Sequence, residues 1–335
     1  MPRRGRLHIP GGCYHVIGRG LERRFIFEDP ADKRDFLARF GSNLRRSGSQ
    51  CLAWALMSNH YHFLIRAGSR PLGKLMAPVL GGFAGYYNRR HCRSGYVFQN
   101  RFSSILCDED SYLLELTRYI HLNPLRAQML SDLDQLSRYP WTWHAGVVGR
   151  HRQNWHAIDD LLLHFGENTR QARRRYLEFV RAGLHGMSEA KLSGGGLVRS
   201  HGSWESIGRL RKEHIFCIGD ERILGGSEFV ERALKEDELA VELKTRLAKE
   251  GWDLEKLIQH ICGRCGIEIS DILLRVRGNS VSKAKALVCF LASERLGSKS
   301  VRIAERLRIS QPAVSKWASK GREISEAEDW NDLLG

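Results

Sequence analysis

The sequence predicts an α+β fold followed by an all-α region. Along residues 13–126 the hydrophobic period switches between two and about 3.6. The order this gives is β-α-β-β-α-β and then a helix. From residue 156 onward the periods that can be followed are helical. That strand and helix order is the split βαβ arrangement of ferredoxin-like sheets, with antiparallel strands and helices on one face.

Residues 13–18 alternate His15 and Ile17 against Tyr14 and Val16, and Arg19 leaves the strand end. Residues 32–47 form an amphipathic helix through Phe36, Leu37, Phe40 and Leu44. Residues 50–57 and 60–67 make a hairpin across Ser58-Asn59, a pair suited to a tight turn. Residues 72–90 give a second helix with Leu75, Met76, Val79, Leu80 and Phe83 inward. It ends on Tyr86-Tyr87-Asn88-Arg89-Arg90, which suits either a single-strand path of stacking rings and cations or ordinary packing with solvated arginines. Residues 102–107 form a further strand. A helix from 111 follows, and Pro124 is expected to end it at Asn123.

Two stretches carry chemistry. In Asn59-His60-Tyr61-His62-Phe63 the strand period puts His60 and His62 on one face, with Tyr61 and Phe63 toward the core. Two imidazoles on one face are half of a metal site, and they are also ordinary residues of a half-exposed strand. Tyr119 and Asn123 stand at i and i+4, on one helix face. Facing the histidines, they would supply a nucleophile and a third ligand. The plainer alternative is amphipathic packing and a helix cap. His15 is not assigned as a ligand.

The chain has 335 residues and a net charge of +15. Residues 1–150 hold 22 Lys and Arg against 11 Asp and Glu, so +11 of the charge lies there. Such an excess fits polyanion binding, in which counterion release drives affinity. The sequence has no run of about 18 apolar residues. The basic start is not followed by an apolar signal segment, so the expectation is a cytoplasmic protein without membrane contact. The eight cysteines are expected to be free thiols, Cys262-Gly263-Arg264-Cys265 included, since no second pair lies at zinc-site spacing.

Five ordered blocks over residues 6–145 resemble a known family. They are Tyr14-His15-Val16 with Arg19; Met57-Ser58-Asn59-His60-Tyr61-His62-Phe63-Leu64-Ile65; Gly95-Tyr96-Val97-Phe98-Gln99-Asn100-Arg101-Phe102; Arg118-Tyr119-Ile120-His121-Leu122-Asn123-Pro124-Leu125-Arg126-Ala127; and Tyr139-Pro140-Trp141-Thr142. Together they resemble the tyrosine HUH transposases of single-strand insertion sequences, and within them the REP-associated tyrosine transposase branch. Ser58 stands where that family usually has proline, and Thr142 where serine is common.

The resemblance implies a DNA transposase, a single-strand endonuclease and transferase. His60, His62 and Asn123 would hold Mg²⁺ or Mn²⁺, and Tyr119 would form a 5′-phosphotyrosine bond. It implies single-stranded hairpin DNA, such as a repetitive extragenic palindrome, as partner, and a monomer or a homodimer according to branch. Arg3, Arg4 and Arg6 match a basic N-terminal arm. Arg19, Gln99, Arg101 and Arg126 lie in the matched blocks, and Arg89 and Arg90 in the basic helix end, as further DNA contacts. A DNA-binding regulator without chemistry is the alternative, and a metal-dependent RNA hydrolase would leave Tyr119 without a role.

The expected domains are 1–150 for catalysis, 151–196 as helical connector with the Ser193-Gly194-Gly195-Gly196 linker, 197–252 as a helical segment of unassigned role, and 253–335 for duplex DNA binding. In the last of these, residues 302–317 have helix-turn-helix form. Ala304 is small at the crossing, Ile309 sits in the turn, and Ser310 and Pro312 suit a helix start. Gln311, Ser315 and Lys316 would then face a major groove. The layout resembles the DNA-binding domain of bacterial replication initiators.

Overall fold

Alternating side chains along four strands decide how the sheet is covered. In the computed structural model, residues 5–68, 70–151, 153–184, 218–273, 279–328 and 330 are described. They divide into two compact units: residues 1–45 with 49–234, and residues 46–48 with 235–335. The first unit holds β1 (Cys13–Arg19), β2 (Gln50–Leu56), β3 (His60–Arg66), β4 (Ser103–Cys107) and β5 (Ile223–Leu224). Their order is β2-β3-β1-β4-β5. The first four are antiparallel neighbours and β5 joins β4 in parallel, so β3 lies inside the sheet and the sheet is mixed.

The two crossover helices, α1 (Pro30–Ser47) and α2 (Leu72–Arg90), cover one face. Phe36 and Phe40 of α1 meet Tyr61 and Phe63 there, with the Phe40 and Phe63 rings stacked at 3.8 Å, and Phe83 of α2 packs on Phe36. Because neighbours on a strand point to opposite faces, His60 and His62 are left for the other side. That side receives α3 (Glu109–Arg126), whose Tyr119 ring meets His62.

Gly18 is paired with Tyr61 in the register. A Cβ at Gly18 would lie 2.3 Å from the Tyr61 hydroxyl, so only glycine lets this buried ring cross the neighbouring strand. Gly18→Ala is expected to cost about 2 kcal/mol through overpacking, read as a lowered melting temperature.

Pro124 does not end α3 at Asn123. The helix runs through it to Arg126. The amide that proline lacks would have bonded Ile120, but the turn beyond is held by Ala127 N–H to Asn123 O and Met129 N–H to Pro124 O. Leu122, Asn123 and Pro124 are also buried. Packing and these bonds outweigh the local bias of a residue that precedes proline.

The chain then adds α4 (Leu133–Arg138), α5 (Trp143–Val147), α6 (Ile158–Leu163) and α7 (Thr169–Ala182) to the same core, through Leu136, Trp143, Ile158, Leu161, Tyr176 and Val180. Inside this layer the Tyr176 hydroxyl lies 2.8 Å from His121 Nδ1 and 2.7 Å from His144 Nδ1. The division between units falls within α8 (Ser227–Lys249), after Leu234.

The second unit contains α9 (Leu254–Cys265), α10 (Ile269–Leu273), α11 (Asn279–Glu294), α12 (Ser300–Arg306) and α13 (Gln311–Ala327). Its core joins Leu257, Ile261, Leu287, Ile303, Leu307 and Val314. Gly321 sets the closeness of α11 and α13, since a Cβ there would meet the Ala286 carbonyl at 2.0 Å. Between α12 and α13 the chain turns through Arg308 at φ +52°. The free thiols among the described residues are Cys13, Cys51, Cys92, Cys107, Cys262, Cys265 and Cys289. Burial pushes Cys262 up to about 11 and raises Cys265 as well, which keeps both protonated.

Candidate active site

The site forms where the start of β3, the middle of β1 and the last turns of α3 converge. His60 is fixed by its neighbour Asn59. The Asn59 Nδ2 donates to the Arg23 carbonyl at 2.9 Å, which turns its Oδ1 toward His60 Nδ1 at 2.6 Å. An amide oxygen only accepts, so His60 carries its proton on Nδ1 and keeps Nε2 as a lone pair. His62 is fixed from the other side. Its Nδ1 lies 2.9 Å from His15 Nε2, and the two rings stack at 5.1 Å. With the shared proton on His62 Nδ1, His62 also offers Nε2. The His60 and His62 rings are 5.1 Å apart.

Both imidazoles are neutral at ordinary pH. Burial, then the charge of Arg19, brings His60 down to about 4. Burial, then His15, His60 and Arg19, holds His62 well below the usual range. Neutral imidazole is the form that ligates a cation.

Tyr119 is half-buried, and its ring stands edge-on to His62 at 6.0 Å and to His15 at 6.1 Å. The Arg126 guanidinium lies 5.4 Å from the Tyr119 ring centre. Asn123, one turn on from Tyr119, is 7% exposed, and its Nδ2 is buried with no hydrogen-bond partner. A half-turn of that amide exchanges the nitrogen for the oxygen, so the position suits a donor to a cation. Among the described residues no three His, Cys, Asp or Glu gather around one point. The donors expected from the sequence, two imidazoles and an amide, are a mixed set of the kind that would take Mg²⁺ or Mn²⁺.

The other expected contacts divide. Arg19 is exposed at the end of β1, opposite His60. Gln99 and Arg101 are exposed, and the Gln99 backbone N–H donates to Arg19 O at 3.0 Å. Arg6 stacks on Phe102 at 4.0 Å and donates to its carbonyl. Arg3 and Arg4 lie outside the described residues. Arg89 is exposed, but Arg90 bridges Asp29 and Asp32. Tyr87 is core, its hydroxyl on Glu28, so packing explains this tyrosine. In the second unit Gln311 and Lys316 are exposed, and Ser315 is half-buried.

Three neighbours of the site were not assigned to it from sequence: His15, Asn59 and Arg126 as a charge on the phenol. Strand parity puts His15 on the face of His62 across the β1–β3 pair, and Arg126 stands at i+7 from Tyr119, on the same helix side.

The sheet thus presents two neighbouring histidines to a tyrosine-bearing helix. Residues 10–123, about a third of the chain, match the family model described as "Transposase IS200 like". A solved structure described as "Structure of the REP associates tyrosine transposase bound to a REP hairpin" is similar at 18% identity and a TM-score of 0.38, covering 48% of this chain and 90% of that chain. No curated protein matches the chain. No helix among the described residues is long and apolar enough to cross a membrane.

Proposed function

We propose that the first unit cleaves and rejoins hairpin-bearing single-stranded DNA through a tyrosine–DNA bond. The observation that carries this is the placement of Tyr119 beside His62, with both histidines held neutral by burial and oriented by Asn59 and His15. The Tyr119 oxygen attacks phosphorus, the P–O3′ bond breaks, and the leaving 3′ oxygen takes up a proton. The 5′ phosphate stays on the tyrosine. Reversal onto a new 3′-OH needs no outside energy, since one phosphodiester replaces another. A free phenol has a pKa near 10, and the Arg126 charge over the ring favours its ionised form. His60, His62 and the Asn123 oxygen would hold Mg²⁺ or Mn²⁺, which when bound polarises the scissile phosphate and stabilises developing charge. In the same reading, the second unit binds duplex DNA through the exposed Gln311 and Lys316 of α13, while the Ser315 hydroxyl, expected to join them, is buried.

The test incubates the full chain with labelled hairpin DNA and Mn²⁺, then resolves products on denaturing gels. A protein-linked band that EDTA abolishes is expected. Cleavage without any linked protein would sink the tyrosine mechanism.

Asn59→Leu is expected to weaken Mn²⁺ binding by about 10–100-fold, the usual effect of losing a partner that orients a ligand. Asn59→Asp, which keeps an acceptor on His60 Nδ1, restores most of it. Calorimetric titration of Mn²⁺ checks both.

A further inference from the structure

Residues 95–102 form a strap across one side of α2. Phe98 pins it, packing on Tyr61 and Phe83 and bridging to Gly20. Between the strap and α2 lies a cleft of about 600 Å³, well within the range of small-ligand sites. Ala77, Gly81 and Ala84 floor it, at the spacing of one helix face. Tyr96, Arg101 and Arg6 stand around it.

Three features of this cleft point to an occupant from outside the fold. Gly81 sits mid-helix, where glycine is a poor helix former, yet a Cβ there would meet nothing within 4 Å. The chain's own packing therefore does not require the glycine, while a larger residue would fill the cleft. Tyr96 is 83% exposed, a large ring held in water. Finally, the charged residues of the lining are Arg6 and Arg101, both cations.

An apolar floor, an open aromatic ring and paired cations match unpaired nucleotides, which stack through base faces and carry phosphate between them. The cleft is also continuous with the candidate site. The Gln99 backbone N–H bonds Arg19 O, and Arg19 pairs with His60, so the middle of the strap lies against the strand ends where the histidines begin.

We propose that this cleft holds one or two unpaired nucleotides of the strand to be cleaved, stacked on Tyr96 with phosphate at Arg101 and Arg6; this rests on the single-strand DNA reading above. The test uses the full chain, a fluorescein-labelled DNA hairpin with an oligothymidylate extension, and the same hairpin blunt. Anisotropy gives the affinities, and the gel assay for protein-linked DNA runs in parallel. Gly81→Leu and Tyr96→Ala are each expected to bind the extended hairpin about 10-fold more weakly and the blunt hairpin as the native chain does. Gly81→Leu should melt no lower than the native chain, because leucine favours the helix and enters open space.

Native affinity for the extended hairpin in both variants would overturn the proposal, as would an equal loss on both DNAs. So would tight binding of an apolar peptide that the extended hairpin does not displace. If the native chain forms no covalent product but the selective loss appears, the cleft stands as a single-strand site and the transferase reading falls.

Discussion

Tyr119→Phe is expected to abolish the protein-linked DNA product, by a factor of about 10⁴ or more, as befits removal of a nucleophile. Hairpin affinity should stay within about twofold, since the surface that the DNA meets loses a single oxygen. The phenylalanine ring keeps the edge-on contacts with His15 and His62 and the Arg126 cation over its face. Melting temperature should hardly move for the same reason. Gel quantitation of the linked band, with anisotropy on the same DNA, separates the two effects. A linked band of native intensity in Tyr119→Phe would assign the bond to another residue.

Acid is expected to unfold the first unit between about pH 6.5 and pH 4. Four of its histidines are held neutral by burial: His60 and His144 are each brought down to about 4, and His62 and His121 are held well below the usual range. In the unfolded chain each takes a proton near pH 6.5. Above that pH both states are neutral and nothing is lost. As pH falls below it, the unfolded state binds protons that the folded state refuses, so stability drops, and His60 and His144 stop adding to the loss once they titrate near 4 in the folded state. His144 alone contributes on the order of 3 kcal/mol to this slope, against a total of about 5–15 kcal/mol for a typical domain. The carboxylate of Asp29, held down to about 2 by its hydrogen bond to Arg90, gives up its contribution at lower pH, as the solution falls from the ordinary carboxylate range toward 2. Urea midpoints at pH 7 and pH 5 check this. Equal midpoints would show that the histidines are not the acid-sensitive groups, and His144→Gln should flatten the slope.

Much of the first unit is legible in the sequence, because alternation and helical period are local signals. Predicted residues 72–90 and 60–67 became Leu72–Arg90 and His60–Arg66. The same parity that put His60 and His62 on one face also put Tyr61 and Phe63 against α1. What stayed hidden depends on distant partners. The Tyr176 hydroxyl meets histidines 55 and 32 positions away, and no period announces such a bond. Two residues, Ile223 and Leu224, are too short a strand to show alternation. Pro124 misled because its bias is local and the burial that overrides it is not. His15 lies on a strand whose pairing partner had to be known before its neighbour His62 was.

The two rims of the sheet bear on how the first unit can be isolated. On β4, Leu106 N–H bonds Arg222 O and Asp108 N–H bonds Leu224 O. On β2, bridges reach His156 and Thr142. A fragment stopped at residue 150 strips the outer neighbour from β4 and one of the two from β2, leaving unpaired amides and carbonyls along exposed strands. Bare strands of that kind template pairing with other molecules and invite aggregation. A fragment carried through residue 234 keeps both rims shielded and should stay monodisperse where the shorter one precipitates, a difference that light scattering reads directly.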